Sequence, residues 1–124
     1  CTEIRGTKMK NFDFHIAHIG INQENEEAAL SAARTFETLF GFSYTVGNSS
    51  IFTADKRIEI MKKIFRGTNG HIAIGTADIE GAVAYLKERG VALAEETAVI
   101  KDGHLIAIYL ADEIAGFAIH LVCA

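Results

Sequence analysis

A repeat constrains this chain more than any other feature. His18-Ile19-Gly20-Ile21 and His71-Ile72-Ala73-Ile74 share one pattern at a separation of 53 residues in a chain of 124. The segments after the two copies are also alike, so the repeat covers a whole supersecondary unit. A half of ~60 residues buries too little surface to hold a sheet alone. The two halves must therefore pack together, or exchange with a second chain.

From Phe12 the run FDFHIAHIGIN alternates and is rich in Ile and aromatics, which predicts a strand ending near Asn22. A helix comes next, with Ala29, Ala32, Ala33, Phe36 and Phe40 as its apolar stripe. Asn22 or Asn25 is its cap, Glu24, Glu26 and Glu27 lie near its positive end, and Gly41 closes it. FSYTV, SSIFTA and RIEIM then read as three short strands, broken at Gly47-Asn48 and at Asp55-Lys56. After the loop Gly67-Thr68-Asn69-Gly70 the order recurs. HIAIGT is a strand; Thr76 or Asp78 caps a helix with the stripe Ile79, Ala82, Val83 and Leu86, stopped at Gly90; VALAEET, HLIAIYL after the Asp102-Gly103 turn, and GFAIHLV are strands. Each half is β-α-β-β-β and the fold class is α+β. Residues 1–11 are polar and aperiodic and read as a tail or linker. A single domain spans 12–124, with module one at about 12–66 and module two at about 67–124.

Composition narrows the function. Apolar residues make up 49% and charged residues 23%, the profile of a packed globular domain rather than a disordered one. Twelve Lys plus Arg against sixteen Asp plus Glu leave a net charge of -4 with no basic run, which argues against a nucleic-acid partner. No apolar stretch approaches the ~20 residues of a membrane helix. Cys1 and Cys123 stand at opposite ends, making neither a disulfide framework nor a CxxC site, so a cytoplasmic location is expected. With no Pro there is no Pro-rich linker. The opening CTEIR has neither an initiator Met nor a signal segment, as expected of a processed chain or a piece of a longer one.

Four polar residues interrupt the apolar strands at matching places in the two halves: His18, Glu59, His71 and His120. Alternation puts Glu59 on the face opposite Ile58 and Ile60, and His120 opposite Ile119 and Leu121. If the apolar neighbours pack under the helices, the four polar residues converge on the concave side of the sheet. Three imidazoles and a carboxylate suit a divalent Zn, Ni, Co, Mn or Fe ion. Any one of them alone would more simply face water; four at related positions point to a shared site.

HIGI at 18–21, IEIM at 58–61, GHIAIG at 70–75 and AIHLV at 118–122 resemble the four metal-bearing strands of the vicinal oxygen chelate superfamily, which includes glyoxalase I and the bleomycin-resistance proteins. The resemblance runs from Phe14 to Val122, and the paired βαβββ modules match. It implies that His18, Glu59 and His71 are the first three ligands. The fourth is usually a glutamate, and here it is His120. In glyoxalase I the carboxylate at that place also moves the substrate proton, so His120 would keep the metal while altering the proton transfer. More narrowly, HIGIN, LFGF, GNSSIF, GHIAIGT and IYLADEIAGFAIHLV resemble the glyoxalase-like domain at the C-terminal end of some bacterial 4-hydroxy-2-oxoglutarate / 2-dehydro-3-deoxyphosphogluconate aldolases.

Other polar residues carry less. His15 is read as facing away from His18, and His104 as a solvated strand end beside its turn. Ser49, Ser50 and Thr53 border the expected cavity, Tyr109 is a packing residue whose hydroxyl would reach a ligand, and Glu95 and Glu96 form a solvated face. Two readings of function result. In the first, the chain is a metalloenzyme of the lactoylglutathione-lyase type or a related one, with the metal chelating two oxygens of a small 2-oxo or 2-hydroxy compound. His18, Glu59, His71 and His120 hold the ion, and Glu59 or His120 carries the proton. In the second, the chain is a non-catalytic module that binds a metabolite or drug, or an aldolase appendage. The resemblance also implies a homodimer.

Overall fold

The structure is a computed structural model that describes residues 12–124; the expected tail at 1–11 lies outside the described residues. Its elements run β1 (His15–Ile21), α1 (Glu26–Phe40), β2 (Tyr44–Val46), β3 (Ser50–Thr53), β4 (Ile58–Met61), β5 (Gly70–Thr76), α2 (Ile79–Glu88), β6 (Leu93–Lys101), β7 (His104–Leu110) and β8 (Phe117–Cys123). One curved eight-stranded sheet contains all these strands, in the order β2-β3-β4-β1-β5-β8-β7-β6. The repeat expected from the sequence is thus two βαβββ modules laid edge to edge. They meet where β1 and β5 pair antiparallel, and within each module the first and last strands pair parallel (β1 with β4, β5 with β8).

The helix signals work as their chemistry predicts. The Asn25 side chain accepts from the Ala28 N–H at 2.8 Å, and Gly41, with φ of 75°, ends α1 by donating to the Glu37 carbonyl. Asp78 caps α2 by accepting from Gly81 N–H at 3.1 Å. In the β6–β7 hairpin, Asp102 (φ 53°) and Gly103 (φ 79°) are both left-handed, the two-residue turn that matches strand twist. Most strand boundaries shift by one or two residues, and two shift further. β6 continues to Lys101, and β1 starts at His15 rather than Phe12 because Asp13 takes φ of 54° and turns the chain. Phe12 is instead tied to module two, its carbonyl accepting from the Thr76 hydroxyl at 2.6 Å.

Each helix covers its own core. Ala29 and Ala33 of α1 pack on Ile51 and Ile60, while Ile79 and Ala82 of α2 pack on Phe12, Ile108 and Leu121. Alanines at the contact let the helix axes approach the sheet, and the larger partners fill the space between. Because Ile60 and Leu121 are buried beneath helices, the residues just before them in sequence, Glu59 and His120, face the opposite, concave side.

Candidate metal centre

The registers arrange the concave face in two neighbouring rows. Across the first run Phe52, Glu59, Gly20, His71 and Ala118; across the second run His18, Ala73, His120 and Tyr109. The rows are related by the same pseudo-symmetry as the modules: His71 opposes Gly20, as His18 opposes Ala73. Small residues opposite the imidazoles leave room for the rings. At Gly20 the fit is tightest, since a Cβ there would clash with the His71 ring and force it to move.

Three of the four expected residues meet there. His18 Nε2 lies 3.2 Å from His71 Nε2, and Glu59 Oε1 lies 3.1 Å from the His71 nitrogen and 3.3 Å from that of His18. The Ser50 hydroxyl donates to Glu59 Oε2 at 2.7 Å, which turns the other carboxylate oxygen toward the imidazoles. His120 shares the face but stands outside this three-donor group. Its ring centroid is 6.2 Å from that of His71, and it stacks parallel on Tyr109 at 4.1 Å. The neighbouring strand thus supplies an aromatic surface that competes for the imidazole.

Burial pushes the Glu59 carboxyl upward, but hydrogen bonds from His18, His71 and Ser50, with the field of His71, outweigh it and hold the group well below the usual carboxylate range. It is ionised at neutral pH. For His120, burial leads and the fields of His71 and His18 add to it, lowering the imidazole to about 4, so this ring is neutral at pH 7. Burial raises the Tyr109 hydroxyl, with Arg66 opposing.

Do these residues fit a metal? Two imidazole nitrogens and a carboxylate are an ordinary donor set for a divalent transition ion, and bonds of ~2.0–2.2 Å place neighbouring ligands on the order of 3 Å apart. The observed separations of 3.1 to 3.3 Å match that spacing. The donors fit. His71 Nδ1 is buried without a hydrogen-bond partner, so the ring engages the site through Nε2 alone.

Several other assignments change. A β-bulge between Ile16 and His18 lets two residues of β1 oppose one of β5, so His15 pairs with Gly75 and shares the face of His18, contrary to simple alternation. It stays outside the cluster, with Nδ1 2.8 Å from the Asp13 carbonyl oxygen. Thr53 does not face the concave side; it is buried on the helix side and donates to the Ser43 carbonyl. Ser49 is exposed, and Ser50 alone of the pair joins the site. As expected, Glu95 and Glu96 are exposed, and so is His104, beside Glu80. Sequence reasoning missed Phe52, whose ring stands edge-on to His18 at 5.9 Å. Its one signal was its place on the Glu59 face of SSIFTA.

No family model matches the sequence, and no curated protein matches it. Solved structures do. Methylmalonyl-CoA epimerase from Mycobacterium tuberculosis is similar with a TM-score of 0.67 at 17% identity, over 96% of this chain and 94% of that chain. A second methylmalonyl-CoA epimerase, in selenomethionine form, gives 0.64 at 18% identity, over 87% and 93%. A Streptomyces coelicolor methylmalonyl-CoA epimerase variant in complex with 2-nitronate-propionyl-CoA gives 0.58 at 18%, over 88% and 96%. These neighbours lend no support to the aldolase-domain resemblance. What they establish is architecture: the chain has the glyoxalase-like α+β fold.

Proposed function

We propose that the chain is a metal-dependent enzyme that moves a proton at a carbon next to a carbonyl, in a small compound offering two oxygens to the ion. The observation that carries this reading is the cluster of His18 Nε2, Glu59 Oε1 and His71 Nε2 at 3.1 to 3.3 Å on the concave sheet. A divalent ion held by these three would polarise the carbonyl and acidify the adjacent C–H. Ser50 fixes the carboxylate, and Gly20 leaves space for the His71 ring.

His120 is the proton carrier in this reading. It sits next to the donor cluster, is neutral at pH 7, and is kept upright by Tyr109. A neutral imidazole accepts a proton and returns it. Phe52 shields one side of His18 from water. Epimerisation of an acyl thioester, as the neighbours' names suggest, and lactoylglutathione-lyase isomerisation both begin with this proton removal. Isomerisation returns the proton to the neighbouring carbon, and epimerisation needs a proton delivered to the opposite face by water or a second group. The proposed substrate class is therefore the activated carbonyl compound common to both, and a homodimer is the assembly that accompanies it.

Deuterium exchange tests the reading. Co(II)-loaded protein in D2O is incubated with methylmalonyl-CoA, and separately with the methylglyoxal–glutathione hemithioacetal. Incorporation of deuterium at the carbon beside the carbonyl in either, lost in His120→Gln with metal retained, is expected. No exchange with either compound under any loaded metal would leave the non-catalytic binding module as the better reading.

A further inference from the structure

The loop 62–69 that joins the modules carries Arg66, and its backbone is fastened on both sides of that residue. The Asn22 side chain donates to the carbonyls of Phe65 (3.3 Å) and Gly67 (3.0 Å) and accepts from the Phe65 N–H at 3.2 Å. Thr68 is tied to Glu113 through its N–H and its hydroxyl, both at 2.9 Å. Gly67 has φ of 91°, and a Cβ there would meet the Gly70 carbonyl, so the loop is tight enough to demand glycine.

From this anchored loop the guanidinium lies over the Tyr109 ring, 4.9 Å from its centre, with its side chain 39% exposed. Tyr109 in turn is the ring stacked on His120, and its centroid lies 6.5 Å from that of His71. A permanent cation is therefore held one aromatic ring away from the donor cluster. Its ionic partner among the described residues is Glu96, at 4.0 Å, with a side chain 76% exposed. So distant and solvated a contact does little to neutralise a charge. The arginine fork matches a carboxylate through two parallel N–H donors. A partly exposed fork whose ionic contact is weak, lying over a ring that borders the proposed centre, is suited to an anion.

We propose that Arg66 is the anion clamp of this concave face, binding a distal carboxylate of the ligand whose other oxygens are gathered at His18, Glu59 and His71. The clamp selects dicarboxylic over monocarboxylic 2-oxo compounds. This inference rests on the metal-centre reading above, and the test separates the two.

Co(II)-loaded protein, its metal content measured on the same samples, is titrated calorimetrically with 2-oxoglutarate and with 2-oxopentanoate, which has the same chain length but no distal carboxylate. Wild-type protein should prefer 2-oxoglutarate by on the order of tenfold or more, as a charge-assisted hydrogen-bonded pair provides. Arg66→Gln should abolish the preference while leaving metal content and 2-oxopentanoate affinity unchanged. Arg66→Lys should recover part of it, which lost packing on Tyr109 alone would not allow. Equal binding of the two acids by wild type, or a preference that survives Arg66→Gln, overturns the clamp. If no metal is taken up, the metal-centre reading fails, and metal-free protein titrated with glutarate judges the clamp separately: binding about tenfold weaker in Arg66→Gln upholds it, and equal binding overturns it.

Discussion

Gly20 shows how one residue governs the site. It has no left-handed φ to accommodate, so its lack of a side chain matters only for the His71 imidazole that occupies the space above it. Gly20→Ala should therefore leave the fold cooperative while displacing His71. We predict at least about a tenfold loss of Co(II) affinity, in line with misplacing one ligand or its support, with an unchanged far-ultraviolet circular dichroism spectrum. His120 makes a second prediction. The unfolded chain binds a proton there near the ordinary value of 6.5, and the folded chain only near 4. Between these values the unfolded state carries more protons, so stability increases with pH across the window and is lost on acidification toward 4. Urea unfolding of metal-free protein from pH 4 to 7 should show that slope, and His120→Gln should flatten it. Glu59, held below its ordinary 4.5, adds a slope of the same sign at the acid end of this range, so the His120 contribution is read above about pH 5. The four polar positions were legible in the sequence because each breaks an apolar strand at a repeated place. The separation of His120 from the other three was not, since it depends on a stacking partner from another strand.

Among the helices and strands, binary patterning carried most of the information. Both helices and the alternation around Glu59 and His120 follow from residue spacing, whereas each N-cap had two candidates, of which Asn25 and Asp78 serve. Local backbone events escaped it. The left-handed Asp13 and the bulge after Ile16 leave no mark in hydrophobic period, yet together they shorten β1 and turn His15 to the concave face. Arg66 was equally silent, because its position depends on Asn22 reaching across to the loop from the end of β1. The helix–sheet contact gives a direct stability test. Ile60 is 1% exposed and packs against Ala29 and Ala33. Ile60→Ala should cost about 2–5 kcal/mol in denaturant unfolding, more than Ile58→Ala, whose parent side chain is only partly buried.

Across the molecule as a unit, the seam between the modules is also the site. β1 contributes His18 and β5 contributes His71, while β4 brings Glu59 alongside from module one. The proposed centre therefore exists only when both halves of the repeat are paired, which explains why the repeat, rather than any local motif, was the informative signal in the sequence. None of the described helices is long and apolar enough to cross a membrane. The function proposed for this chain depends on His18, Glu59 and His71 holding a divalent ion that His120 does not ligate. Elemental mass spectrometry decides this, on protein purified without a metal-affinity tag, then loaded with Co(II) and desalted. We expect about one ion per chain in wild type and in His120→Ala, as a three-donor site requires, and none in His71→Ala or Glu59→Ala variants that remain folded. Full occupancy in His71→Ala, or a wild-type chain that retains no metal, would refute the centre.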